Sequence, residues 1–453
     1  MAYSGFREES TMIKMLCRVL CLLLVLLVSC SAALAEPVSL SSPKGAEDFV
    51  RVLLGADPAS LDGAYRLTDE MAAAVQAAGG FAGLAGQLAP LGKLQEMFPA
   101  RADTLRGLRV YRVPCRFAAL AVDIVLTLDG EALAGLITDR FTGDVRPETA
   151  DAAYTALDLA LPVPELNGSL PGTLTLPRGE GPFPAVVLIP GSGPCDRDGT
   201  LGALAPLRDI AEGLAERGIA AYRFDKRTLV YARETAADRQ FTLVEEYVDD
   251  AAAAVQLLAA RAEIDPERIF VLGHSLGGTA IPAIDRALRT EAVPARGYIL
   301  MAPGARRLDA LMREQYAFLA GIQPEIAAQR DALLAELDRL NDPDSLTEND
   351  WIAGAWGPYW QWLAAYDAPE AAKEISRPCL LLQGEEDYQV TMADYHLFRE
   401  AVGGRENWTF LSYPGLTHTF TPGKKEDGPA VYAAPAKMDA AVLTDLAAFI
   451  RAE

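Results

Sequence analysis

The chain reads as an α/β half with a mostly parallel sheet, preceded by a small α+β unit and a leader. Three observations predict this. From residue 164 onward, strand-like apolar runs alternate with helix-forming stretches, the order that a parallel sheet with helical crossovers requires. Residues 269–280, IFVLGHSLGGTA, pass from an apolar strand through Gly-His-Ser-Leu-Gly into a helix former. Residues 42–149 instead place short helices first and an antiparallel meander after, which sets them apart as a separate α+β domain. A chain of 453 residues is also too long for one ordinary core.

The leader comes first. Lys14 and Arg18 flank the apolar run 19–28, and Ala33-Leu34-Ala35 before Glu36-Pro37 fits a signal-peptidase site, so residues 1–35 read as a signal peptide. The apolar run is too short to favour a permanent spanning helix. Leu27-Val28-Ser29-Cys30 offers a competing reading, a lipoprotein box with Cys30 as the lipidated residue. Either way the mature chain is expected to be exported, secreted or held at the cell envelope, with no integral membrane span. Removing the leader cuts six cysteines to Cys115, Cys195 and Cys379. These are scattered, odd in number and without metal spacing, so neither a disulfide framework nor a catalytic metal is indicated.

In the front unit, residues 45–78 read as two or three short helices, followed by a Gly/Ala-rich passage. Strand-like runs at 108–117, 119–128 and 132–141 come next, joined by tight turns such as Asp129-Gly130. No titratable cluster marks this unit as catalytic, and residues 147–164 read as a linker. Across the chain, 62 Asp and Glu against 41 Lys and Arg give a formal charge of −21. That balance argues against nucleic acid or an anionic membrane surface as partner.

Beyond residue 164, candidate residues follow from what each chemical role needs. Ser275 sits at a sharp strand-to-helix turn, where Gly273 and Gly277 remove Cβ atoms that would clash. The turn lifts its Oγ above the sheet and leaves the N–H of Leu276, at the helix start, to stabilise an oxyanion. A second oxyanion donor belongs in the loop after an early central strand. Residues 185–189 form that strand, and Pro190-Gly191-Ser192-Gly193-Pro194 follows. The prolines carry no N–H, so the Ser192 amide is the expected donor. Asp196-Arg197-Asp198-Gly199 lacks the later ligands of a calcium loop and reads as an ion-paired loop.

The chain has three histidines. His274 lies within the elbow and is expected to point away from the place of a base; His396 falls in a helix-like stretch. His418 follows the strand-like WTFLSY and the turn Pro414-Gly415, in a loop able to swing over the serine, and is the expected base. The acid belongs after an earlier strand, in the order Ser, Asp, His. Residues 378–384 read as a buried strand followed by Glu385, Glu386 and Asp387, of which Asp387 is preferred and the two glutamates stay open. The preceding strand, 298–302, leads only to Pro303, Gly304 and Ala305. An insertion at 306–373 carries Trp351, Trp356, Tyr359, Trp360, Trp362 and Tyr366 at helical spacing; most should pack helices, while one or two line an acyl pocket.

The motifs PGSGPCDRDG (190–199), FDKR (224–227), GHSLGG (273–278), LLLQGEEDYQV (380–390) and GLTHTF (415–420) together carry a resemblance. Residues 164–453 resemble the α/β-hydrolase superfamily, and within it bacterial serine carboxylesterases preceded by a small domain of unknown function. The resemblance implies an α/β-hydrolase sheet with a helical cap at 306–373, hydrolysis of small carboxylic esters, and no cofactor. It also implies Ser275 as nucleophile, Asp387 as acid and His418 as base. The expected course is an acyl-enzyme on Ser275, with short acyl groups favoured by a compact cap. An aminopeptidase-like enzyme on this fold would be expected to carry a longer front domain, and a thioesterase for acyl-CoA would rarely meet CoA after export. A non-catalytic ligand-binding protein would not need all three residues. Oligomeric state is not legible in the sequence.

Overall fold

The computed structural model describes residues 40, 42–91, 93–105, 108–117, 121–140, 153–290 and 295–453. The expected leader with Cys30, and residues 141–152, lie outside the described residues. Contacts divide the chain into two compact units, Met1–Pro147 and Glu148–Glu453.

In the first unit, the helix Pro43–Leu53 begins where the Ser42 hydroxyl accepts the Gly45 N–H at 3.1 Å, with proline in the first turn. Ala46, Phe49, Val50 and Leu53 recur at helical spacing and are buried. Helices Asp69–Ala78 and Gly80–Gln87 follow. Strands β1 (Leu94–Met97), β2 (Arg101–Leu105), β3 (Leu108–Phe117), β4 (Ala121–Asp129) and β5 (Ala132–Arg140) make an antiparallel sheet with β3, β4 and β5 as a meander. β1 and β2 were not read from the sequence. LQEM and RADTL are short and polar, with no apolar alternation to announce them.

The second unit contains β6 (Tyr154–Asp158), β7 (Leu161–Val163), β8 (Gly168–Leu170), β9 (Gly172–Pro177), β10 (Phe183–Ile189), β11 (Ala220–Phe224), β12 (Ile264–His274), β13 (Gly297–Met301), β14 (Trp351–Ile352), β15 (Ala355–Trp356), β16 (Cys379–Gly384) and β17 (Trp408–Tyr413). Eight of them form one sheet in the order β17-β16-β13-β12-β10-β11-β9-β6. The six strands from β17 to β11 run parallel, and β9 and β6 close one edge antiparallel. The parallel strands β10, β11, β13 and β16 are almost wholly buried because helices cover both faces. Helices Pro206–Ala215 and Ala440–Ala452 pack one face through Leu207, Ile210, Leu214, Val442, Leu446 and Ile450. Asp249–Ala259 and Leu276–Thr290 pack the other through Val255, Leu258, Ile281 and Ile284.

Two readings need correction. The sheet begins at Tyr154, so residues 147–164 are not simply a linker: β6 and β7 lie inside that stretch. YTALD is a short and mostly exposed edge strand, which leaves no burial alternation to read. The insertion is mainly helical, with Leu308–Ile322, Ala327–Leu337, Gly357–Ala364 and Ala368–Ala372. Trp351 and Trp356 are not on a helix, however. They pair across the hairpin β14–β15, with ring centroids 4.8 Å apart.

Candidate active site

β12 ends at His274 and the helix Leu276–Thr290 starts two residues later, which leaves Ser275 alone at the junction. Its φ is +56°, the left-handed region that L-residues seldom occupy outside tight turns. The Ser275 N–H donates to the Met301 carbonyl at 2.8 Å and its own carbonyl accepts from the Thr279 N–H at 2.9 Å, so both sides of the strained residue are tied down. Space explains the glycines. A Cβ on Gly273 would lie 2.2 Å from the Gly277 oxygen, and one on Gly277 would lie 2.4 Å from the Pro190 oxygen. Ser275 itself stays half-buried at the end of the sheet.

Asp387 follows β16 and His418 follows the neighbouring strand β17, so both loops leave the same end of the sheet as the elbow. His418 Nδ1 lies 2.6 Å from Asp387 Oδ2. Both side chains are buried. Asp387 Oδ1 accepts the N–H groups of Gln389 (2.7 Å) and Val390 (3.0 Å), and Oδ2 also accepts Gln383 Nε2 (3.1 Å). A carboxylate so surrounded by donors has one orientation. Glu385 is exposed and takes the Ser412 hydroxyl, while Glu386 takes the Lys425 N–H; neither faces His418 through a hydrogen bond. No hydrogen bond joins His418 to the Ser275 hydroxyl among the described residues. A serine–histidine contact of this kind often tightens only when substrate binds.

The His418 loop is built from residues that sequence reasoning passed over. Thr417, Thr419 and Thr421 bring their hydroxyls within 2.9–3.3 Å of one another, and Phe420 takes a φ of +56° to complete the turn. His274 does not point away from His418, the expected base. Its ring centroid lies 4.6 Å from that of His418, and its Nε2 lies 2.8 Å from the His418 carbonyl oxygen. A carbonyl only accepts, so that nitrogen carries the proton. Desolvation by the surrounding protein, and then the neighbouring His418, push the His274 pKa down to about 3. His274 is therefore a neutral prop. His396 is exposed on the helix Met392–Val402.

Ser192, Ser275 and Leu276 line one cavity of about 520 Å³. Its walls include Phe241, Leu311, Met312 and, from the insertion, Trp356, Trp360 and Tyr366. Gly191 lies against the serine, since a Cβ there would come within 3.1 Å of Ser275 Cβ. The FDKR run secures the surrounding loops one residue at a time. Asp225 binds Arg197 through two guanidinium nitrogens, at 3.2 and 3.1 Å, and Arg227 makes two bonds to the buried Asp250, at 2.9 and 2.6 Å. Thr228-Leu229-Val230 continue from Arg227 as a short helix. Arg223 holds Asp198 at 2.8 Å, so Asp196–Asp198 is an ion-paired loop. Lys226 is almost wholly buried and reaches the carbonyls of Gly191 and Gly193. The described residues contain no cluster of His, Cys, Asp and Glu able to hold a metal ion. No described helix is long and apolar enough to cross a membrane.

Residues 203–423 match the family described as Hydrolase_4: Serine aminopeptidase, S33. Over 342 residues the chain is 33% identical to Esterase EstD of Thermotoga maritima, a match that covers 75% of this chain and 78% of that protein. Among solved structures it is similar to Est1E from Butyrivibrio proteoclasticus, with a TM-score of 0.43 and 16% identity over 65% of this chain and 99% of that one. It is also similar to a puromycin-hydrolysing peptidase of Mycobacterium tuberculosis, with a TM-score of 0.44 and 18% identity over 75% of this chain and 45% of that one.

Proposed function

Since the chain belongs to the serine esterases of the α/β-hydrolase superfamily, we propose that it cleaves small carboxylic esters through an acyl-enzyme on Ser275. The observation that carries this reading is the His418–Asp387 contact of 2.6 Å, formed by loops at the same sheet end as the elbow serine. Ser275 Oγ attacks the ester carbonyl as His418 takes its proton, and Asp387 steadies the imidazolium. The amides of Ser192 and Leu276 receive the oxyanion. His418 then protonates the departing alcohol, and water repeats the sequence on the acyl-enzyme. The cavity falls in the size range that holds drug-like molecules, so acyl length is set by wall shape rather than by total volume.

A peptidase reading has one specific point in its favour, the aminopeptidase description of the matching family. Recognition of a free N-terminus requires a carboxylate open to an ammonium group. Glu246 is the one carboxylate among the described residues lining the cavity, and Lys226 (2.6 Å) and the Tyr359 hydroxyl (2.6 Å) already engage it. An ester therefore suits the pocket better than a peptide N-terminus. Comparing turnover of p-nitrophenyl butyrate with that of aminoacyl p-nitroanilides tests the assignment. Ester hydrolysis should dominate in kcat/KM by at least about 10²-fold, a preference of roughly 3 kcal/mol; dominant anilide cleavage contradicts it. The leader reading adds export, to be tested by cell fractionation, where retention in the cytoplasm would count against it.

A further inference from the structure

The Lys226 ammonium is 1% exposed and has four oxygens within 3.0 Å: Gly191 O at 2.9 Å, Gly193 O at 3.0 Å, the Tyr247 hydroxyl at 2.5 Å and Glu246 Oε1 at 2.6 Å. Tyr247 also donates its hydroxyl to Gly191 O, at 2.7 Å. The carbonyls gripped in this way flank Ser192. A trans peptide points its C=O and the following N–H in opposite directions. Drawing the Gly191 carbonyl into the Lys226–Tyr247 nest therefore turns the Ser192 N–H away from those two donors, and Ser192 lines the cavity together with Ser275.

The nest is a built feature. Glu246 and Tyr247 are consecutive, and the π-helical turn Val244–Val248 brings both into the interior. Tyr359, from the insertion, completes it by donating to Glu246 Oε2 at 2.6 Å. A buried lysine–glutamate pair is a poor source of stability, because desolvation of both charges offsets their attraction. Its place beside the loop gives it another use. Donors on a peptide carbonyl also polarise that peptide, which strengthens the N–H as a donor to a developing negative charge.

We infer that Lys226, backed by Glu246 and Tyr247, is a positioning residue that aims and polarises the Ser192 amide at the oxyanion. The inference rests on the esterase reading and assigns the FDKR lysine a part in the chemistry without contact to substrate. The Lys226 main chain is separately fixed to the Cys195 carbonyl at 3.0 Å. Substituting the side chain thus frees the Gly193 carbonyl and leaves the Gly191 carbonyl to the Tyr247 hydroxyl alone, with that backbone tie in place.

The test compares wild type with K226M/E246Q, which removes both buried charges together, and with Y247F, which removes one hydroxyl from an otherwise intact nest. Each is assayed with p-nitrophenyl butyrate, with an aryl trifluoromethyl ketone, and with the matching secondary alcohol. The ketone takes up Ser275 Oγ: the O–C bond forms, the carbonyl π pair moves to oxygen, and the serine proton passes to His418. The alcohol occupies the same cavity and forms no oxyanion. K226M/E246Q should lose about 10²-fold in kcat with KM within threefold. Its ketone Ki should rise by the same factor, while the alcohol Ki, which senses the change at the cavity-lining Glu246 but forms no oxyanion, should move by less than about threefold. Y247F should lose about tenfold in the same ratio, and decides the matter alone if the double variant does not fold. Turnover within threefold of wild type in a folded variant overturns the inference. So does a loss shared equally by ketone and alcohol. Wild-type enzyme that neither turns over the ester nor binds the ketone would instead overturn the esterase reading.

Discussion

His274 is a histidine held in its neutral form, and its position predicts how stability should depend on pH. Its folded pKa is lowered from 6.5 to about 3, so between those values the unfolded chain binds the extra proton and the folded chain does not. The resulting stabilisation is complete above 6.5 and is lost progressively as pH falls toward about 3. H274Q, whose amide can still donate to the His418 carbonyl, should therefore show a shallower fall in Tm over that window than wild type. Parallel Tm profiles would show that His274 does not contribute to the acid limb. At Asp387, the proposed acid, D387N should cut kcat by about 10⁴-fold by disturbing the histidine tautomer, while E385Q and E386Q stay within a few-fold. A larger loss in either glutamate variant would move the acid to that position. The placement of Ser275, Asp387 and His418 just past strand ends was legible because each lies in a motif that follows an apolar run. Lys226, Glu246 and Tyr359 were not, because the contacts that give them meaning join residues far apart in sequence, as when Tyr359 meets Glu246.

At the scale of elements, the elbow turns on close backbone approaches rather than on side chains. A methyl group at Gly273 would meet Gly277 O at 2.2 Å and Gly278 N at 2.6 Å, with no flexible side chain able to yield. G273A should lower stability by about 1–3 kcal/mol and reduce turnover, as read from urea unfolding and ester hydrolysis of the folded fraction. Wild-type stability would mean that the turn can relax, contrary to the geometry. The elbow could be read in the sequence because apolar strand, glycine spacing and helix former all point to one turn. Elements that rest on few residues escaped. The edge strand Tyr154–Asp158 shows no burial alternation, and the two-residue strands that pair Trp351 with Trp356 are too short for any periodicity, so helical spacing misassigned the pair.

At the scale of the molecule, each unit has its own buried core, and every group assigned to the chemistry lies in Glu148–Glu453. That unit expressed alone should fold and hydrolyse p-nitrophenyl butyrate with kcat within tenfold of the full chain. A folded fragment without activity would mean that the first unit supplies part of the catalytic structure. The α/β class and the α+β front unit were legible from the order of apolar runs, whereas β6 puts the start of the eight-stranded sheet ahead of the expected boundary. The central claim is that Ser275 is the nucleophile, and reaction with a fluorophosphonate followed by peptide mass spectrometry tests it most directly. The account predicts one adduct, on the peptide containing Ser275, formed in step with loss of ester turnover and absent from S275A. Full labelling with turnover intact, an adduct on another residue, or wild-type turnover by S275A would contradict it.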